Sequence, residues 1–122
     1  MNLKYSDIYL AISTDDINAL KDFYSRLLGQ QPDVYRPSVY VEFRLQKLRL
    51  AIFKPKSARR SEFKNSSSSM SLCIEVEDLE NAIAILADLG CLPPKEVIEA
   101  SHGKELYAYD PAGNRLILYQ PK

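Results

Sequence analysis

One histidine and two cysteines are all that the 122 residues offer of the commonest metal-ligating side chains. The lone imidazole, His102, stands before Gly103 and cannot hold a metal by itself, so it reads as a loop residue. Two cysteines are too few to build a disulfide scaffold. Cys73 and Cys91 each sit in an apolar segment, which points to reduced core thiols and a cytoplasmic protein. Net charge is also missing: sixteen basic residues stand against sixteen acidic ones. No global field therefore draws the chain to nucleic acid or to a lipid surface, and neither is expected as a partner. No apolar run approaches the length of a membrane span, and the opening residues, Met1 to Ser6, lack the apolar core of a signal peptide.

What is present is a good core former. With 46% hydrophobic residues, a chain of this size buries roughly two-thirds of the surface it exposes when unfolded. Its organising stretch is Asp110 to Tyr119. Asp110-Pro111-Ala112-Gly113-Asn114 is a tight turn: a carboxylate to accept from turn amides, a proline with φ preset, a glycine free to take positive φ. Arg115 to Tyr119 then alternates as a strand, with Leu116 and Leu118 on one face. Residues 49–55 match residues 115–121 position by position, Arg49 with Arg115 and Pro55 with Pro121. A duplication is implied.

The order of elements bears this out. Residues 5–13 alternate as a strand with Ile8, Leu10 and Ile12 on one face and Tyr9, Ala11 and Ser13 on the other. A helix follows, capped by Asp15 or Asp16, stopped by Gly29, with Ile17, Leu20, Phe23, Leu27 and Leu28 as its buried stripe. Three short strands are expected near 31–36, 39–45 and 48–54. Residues 55–69, polar, basic and ending in serines, read as a flexible connector, with Phe63 able to fold back as a lid. The pattern then repeats: a strand over 70–77, a helix capped by Asp78 and ended by Gly90, and strands near 94–99, 104–109 and 114–120. The expected fold is α+β, one domain of two tandem βαβββ modules, about 4–54 and about 70–122, joined by the 55–69 linker.

Asp16-Ile17-Asn18-Ala19-Leu20-Lys21-Asp22-Phe23-Tyr24, running on to Leu28-Gly29, together with the Asp110–Asn114 turn, resembles the vicinal oxygen chelate superfamily. That group includes glyoxalase I, extradiol dioxygenases and the bleomycin- and fosfomycin-resistance proteins. The resemblance runs from Ile8 to Gln120. It implies two curved sheets forming an open barrel-like cleft with the helices outside, and a homodimer. It also implies where a metal would sit, since metal-dependent members take a His from the first strand of each module and a Glu or His from the last. Those positions here are Tyr9, Ala51, Ser71 and Ile117. None is a His, Glu or Asp, so no metal site and no cofactor are expected.

The cleft is then lined by the strand faces opposite the helices. They carry Tyr9, Ala11 and Ser13; Arg49, Ala51 and Phe53; Ser71, Cys73 and Glu75; and Arg115, Ile117 and Tyr119. The candidate ligand-binding residues are Tyr9, Arg49, Phe53, Ser71, Glu75, Arg115, Ile117 and Tyr119: aromatic walls with a few polar groups, as a small-molecule site needs. Arg49 and Arg115, related by the repeat, could flank a carboxylate or phosphate, or simply pair with carboxylates at the rim. Glu75 is the candidate acid–base group. The expected function is metal-independent small-molecule binding, similar to the bleomycin-resistance type. Two alternatives stand beside it. One is an enzyme, either a lyase or isomerase using Glu75 and a tyrosine or a dioxygenase-like protein with an atypical metal site. The other is a structural partner whose cleft is filled by its own side chains.

Overall fold

The computed structural model describes residues 2–64 and 68–122, and the chain folds in the order the repeat dictates. The first half gives β1 (Leu10–Ser13), α1 (Ile17–Leu28), β2 (Val34–Arg36), β3 (Tyr40–Arg44) and β4 (Arg49–Phe53). The second gives β5 (Leu72–Glu75), α2 (Leu79–Asp88), β6 (Ile98–Ala100), β7 (Gly103–Tyr109) and β8 (Arg115–Pro121). Each half forms its own four-stranded sheet, ordered β1-β4-β3-β2 and β5-β8-β7-β6. The first strand of each half runs parallel to the last, and the other pairings are antiparallel. The architecture is α+β, without a closed barrel.

The helices start where the sequence places a free carboxylate. Asp16 caps α1 by accepting from the amide of Ala19, and Asp78 caps α2 by accepting from that of Asn81, each at 3.1 Å. Gly29 ends α1 in the left-handed conformation at φ 67°. From α1, Ile17, Leu20 and Phe23 are buried, together with Tyr24. They join Val41, Phe43, Leu50 and Ile52 of the first sheet and Leu79, Leu86, Leu106, Leu116 and Leu118 of the second half in one continuous core. Burying an apolar side chain of this size stabilises the fold by about 1.5–3 kcal/mol.

Two expectations change. The first strand begins at Leu10, not Tyr5, because pairing with β4 starts at Leu10 opposite Leu50. Ile8 consequently lies off the sheet, 74% exposed, rather than on its helix-covered face. The connector is also not featureless: Ser57–Phe63 coil into a 3₁₀ helix with no buried residue. Two contacts hold it, neither of which leaves a periodicity in the sequence. Phe63 packs edge-on against Phe53 with ring centroids 5.1 Å apart. Arg60 forks onto Asp15 through Nε at 3.1 Å and Nη2 at 2.7 Å. Residues 65–67 of the connector, which include the start of the serine run, lie outside the described residues.

The organising turn binds the two halves together. Asp110 is buried, and its Oδ1 accepts from the amides of Ala112 and Asn114 at 2.9 and 3.0 Å. Its Oδ2 accepts from the hydroxyl of Tyr24, on α1 of the other half, at 2.7 Å. Tyr24 is wholly buried, and burial first, then the neighbouring carboxylate, raises its phenol far above the ordinary value.

Candidate functional site

Because strand side chains alternate, burying Leu50 and Ile52 against α1 turns Arg49, Ala51 and Phe53 to the opposite face. Register then fixes what lies beside them. In the first sheet, Ala51 stands between Ala11 and Glu42, Phe53 between Ser13 and Tyr40, and Arg49 directly opposite Arg44. In the second, Ile117 stands between Cys73 and Tyr107, Tyr119 between Glu75 and Glu105, and Arg115 opposite Tyr109. The two faces are thus built on one plan with different side chains.

On the first face the side chains bond to one another. Glu42 is only 5% exposed; its Oε1 accepts from the hydroxyl of Tyr40 at 2.6 Å and its Oε2 from Nε of Arg44 at 2.7 Å. The hydrogen bond from Tyr40, then that from Arg44, holds the Glu42 carboxyl below the usual glutamate range. Burial, then the bond to Glu42, pushes the Tyr40 phenol up to about 12. The guanidinium of Arg49 lies over the ring of Tyr9, 3.9 Å from its centroid, and reaches Oδ2 of Asp7 at 3.2 Å.

The second face is more open. Cys73, expected as a core thiol, is exposed because it lies on the strand face turned from the core; Glu75 is exposed too, and Ile117 is half-buried. Arg115 is drawn to the strand margin, donating from Nε to Oγ of Ser71 at 2.7 Å and from Nη2 to the carbonyls of Ser68 and Met70. Tyr119 donates to the carbonyl of His102 at 2.8 Å, and the two rings lie 5.5 Å apart. Between the halves, the margin of β1 and the start of β5 border a groove of about 630 Å³, lined in part by Leu10, Ile12, Phe63, Met70, Tyr109 and Arg115.

The structure therefore groups Arg49 and Phe53 on the first face, with Tyr9, which precedes β1 instead of standing on it as expected, held against Arg49. It groups Glu75, Ile117 and Tyr119 on the second, with Ser71 and Arg115 joined at the second sheet's margin. Arg49 and Arg115 are engaged separately, each with its own partners. Sequence reasoning missed Glu42, a buried carboxylate on the sheet face, in favour of Glu75, which is exposed. The signal was there: Tyr40, Glu42 and Arg44 alternate with apolar Val41 and Phe43, which puts them on the face away from the core.

The positions at which the superfamily holds a metal do not fit one. The Tyr9 ring carries a guanidinium, Ser71 Oγ already accepts from Arg115, and Ala51 and Ile117 have no donor atom. Among the described residues, no three His, Cys, Asp or Glu side chains come together as a ligand group. No described helix is long and apolar enough to cross a membrane.

Comparison with known proteins accords with this geometry. The family model for the Glyoxalase/Bleomycin resistance protein/Dioxygenase superfamily matches residues 8–118. No curated protein matches the chain significantly by sequence. Among solved structures, the fold is similar to a glyoxalase/bleomycin resistance protein/dioxygenase family enzyme from Burkholderia phytofirmans PsJN, with a TM-score of 0.78 and 18% identity over 93% of this chain and 97% of that one. It is similar also to a lactoylglutathione lyase from Agrobacterium tumefaciens, with a TM-score of 0.72 and 19% identity over 98% and 96%. A glyoxalase-related enzyme from Fulvimarina pelagi gives 0.71 and 19% over 95% and 88%.

Proposed function

The chain belongs to the glyoxalase/bleomycin resistance protein/dioxygenase superfamily, and from that premise we propose that it binds a small organic molecule without a metal. The observation that carries the reading is the state of the four ligand positions. Two are apolar, and the other two, Tyr9 and Ser71, are each engaged by an arginine. A cation placed at Tyr9 or Ser71 would lie against the guanidinium of Arg49 or Arg115, which repels it.

The tuning of the first face supports binding over acid–base chemistry. A general acid or base works best with a pKa near the operating pH. Tyr40 and Glu42 are driven the other way, the phenol to about 12 and the carboxyl below its ordinary value, so both hold their protonation states through neutrality. Fixed states are what a recognition surface needs. The open second face, with Cys73 and Glu75 exposed, supports assembly as a homodimer in which a second copy helps enclose the ligand. Both cysteines are free thiols, which supports a reducing, cytoplasmic setting.

The test is elemental analysis of protein purified without chelator, by inductively coupled plasma mass spectrometry. Transition metal well below one equivalent per chain is expected. A stoichiometric, chelator-removable metal would overturn the reading.

A further inference from the structure

Two arginines facing each other on neighbouring strands are an unfavourable arrangement in an isolated sheet, because like charges directly opposed repel. Arg44 and Arg49 are such a pair, on the face turned from the core. Each is only partly answered. Arg44 gives its Nε to Glu42 while its side chain remains 62% exposed, leaving its outer nitrogens free for solvent or ligand. Arg49 meets Asp7 through Nη2 alone, at 3.2 Å, and its Nε is buried with no acceptor among the described residues. Buried donors are seldom left unpaired, and a water or a ligand can supply the missing acceptor.

We propose that the Arg44–Arg49 pair is a recognition site for the carboxylate of a small aromatic or apolar acid. The proposal rests on the reading that this face holds a ligand without a metal. A guanidinium presents Nε and Nη2 as a parallel fork that matches the two oxygens of a carboxylate, and Asp7 engages only one prong. Asp7 and Tyr9 both precede β1, off the sheet ladder, and are 56% (side chain) and 48% exposed. Both can therefore shift without cost to strand pairing. An incoming carboxylate displaces Asp7, takes both prongs of Arg49 and lies within reach of Arg44. The charge balance selects a monoanion. Two guanidinium groups face Glu42 and Asp7, and when Asp7 swings away a single negative charge restores neutrality, whereas a phosphate dianion leaves an excess. The aromatic rings of Tyr9 and Tyr40 beside the pair favour an aromatic or apolar body behind the acid group.

The experiment is an NMR titration of ¹⁵N-labelled full-length protein with benzoate, with benzamide as its neutral counterpart and phenyl phosphate as its dianionic one. Benzoate is expected to give saturable shifts at the backbone amides of Tyr9, Arg44 and Arg49, benzamide none, and phenyl phosphate weaker ones. Arg49→Lys keeps the charge but loses the fork and weakens benzoate about tenfold or more. Asp7→Asn, at an exposed position where folding is not at stake, tightens it by removing the competing carboxylate. The assignment is overturned if benzoate does not saturate, if Asp7→Asn leaves its affinity unchanged, or if phenyl phosphate binds more tightly. Benzamide binding on the same face as well as benzoate overturns the carboxylate assignment while leaving metal-free ligand binding in place; stoichiometric metal in the purified protein overturns that underlying reading instead.

Discussion

The residue that most repays attention is Glu42. Its carboxyl titrates below the ordinary glutamate value of 4.5 in the folded chain because Tyr40 and Arg44 hydrogen-bond to the ionised form. Between the unfolded and folded values the unfolded chain binds more protons, so the stability from this group is present above 4.5 and is lost as pH falls through the folded value. Tyr40 works at the other end. Its phenol is raised from 10.0 to about 12, so its contribution is complete below pH 10 and is lost as pH climbs towards 12. In urea melts across pH, Glu42→Gln is therefore expected to flatten the acid limb and to lower stability near neutrality by about 1 kcal/mol. Spectrophotometric titration of that variant should show the Tyr40 phenol moving down from about 12, with burial still holding it above 10, while Tyr24 remains the most resistant. An unchanged acid limb would mean that Glu42 ionises as freely in the fold as outside it.

At the scale of elements, the 3₁₀ helix over Ser57–Phe63 is an attached strap rather than a packed layer. It buries no residue and is held by one exposed ion pair and one aromatic contact. Exposed ion pairs contribute little to global stability, so Arg60→Ala is expected to leave the melting temperature within error. It should nonetheless speed hydrogen exchange within residues 57–63 and tryptic cleavage after Arg59, the trypsin site the variant keeps there, because the local opening free energy falls. Protection unchanged by the substitution would show that Phe63 alone holds the strap. This element also marks where sequence reading stops. The helices and the strands of the two sheets were legible because Asp16, Asp78 and Gly29 punctuate them and the apolar residues keep period 3.6 or 2. Of the strap only the fold-back of Phe63 was legible; its 3₁₀ form and its partners were not, since the tie from Arg60 to Asp15 joins residues 45 apart in sequence. Glu42 sits between these cases: its face follows from alternation, but its partners follow only from the fold. The four positions that the resemblance implies for a metal could be located from the two N-caps, the turn at Asn114 and the repeat, whereas the engagement of Tyr9 by Arg49 and of Ser71 by Arg115 needed three dimensions.

For the whole molecule, the bond from Tyr24 to Asp110 is a buried polar tie between the halves. Tyr24→Phe keeps the ring and its edge-on contact with Phe23, whose centroid lies 4.9 Å away, but removes one donor from a buried carboxylate. Asp110 keeps the amides of its own turn, so the expected loss is about 1.5–3 kcal/mol, read from the denaturation midpoint with the slope unchanged. A fall in slope would instead signal that the halves unfold separately.

That same tie bears on how the duplication can evolve. Tyr24 lies eight residues after the cap Asp16, and the residue eight after Asp78 is Leu86, fully buried and without a hydroxyl. The acceptor is equally one-sided, since β3 and β4 are joined by a short turn through Gln46 and Lys47 in place of the aspartate turn. Donor and acceptor have thus been divided between the copies. A gene conversion that overwrote the first half with the second would put a leucine against Asp110, and the reverse would strand Tyr24. The halves behave as the two subunits of an obligate heterodimer that happen to share one chain, free to diverge on their open faces but bound to each other's history by a shared core and by this hydrogen bond.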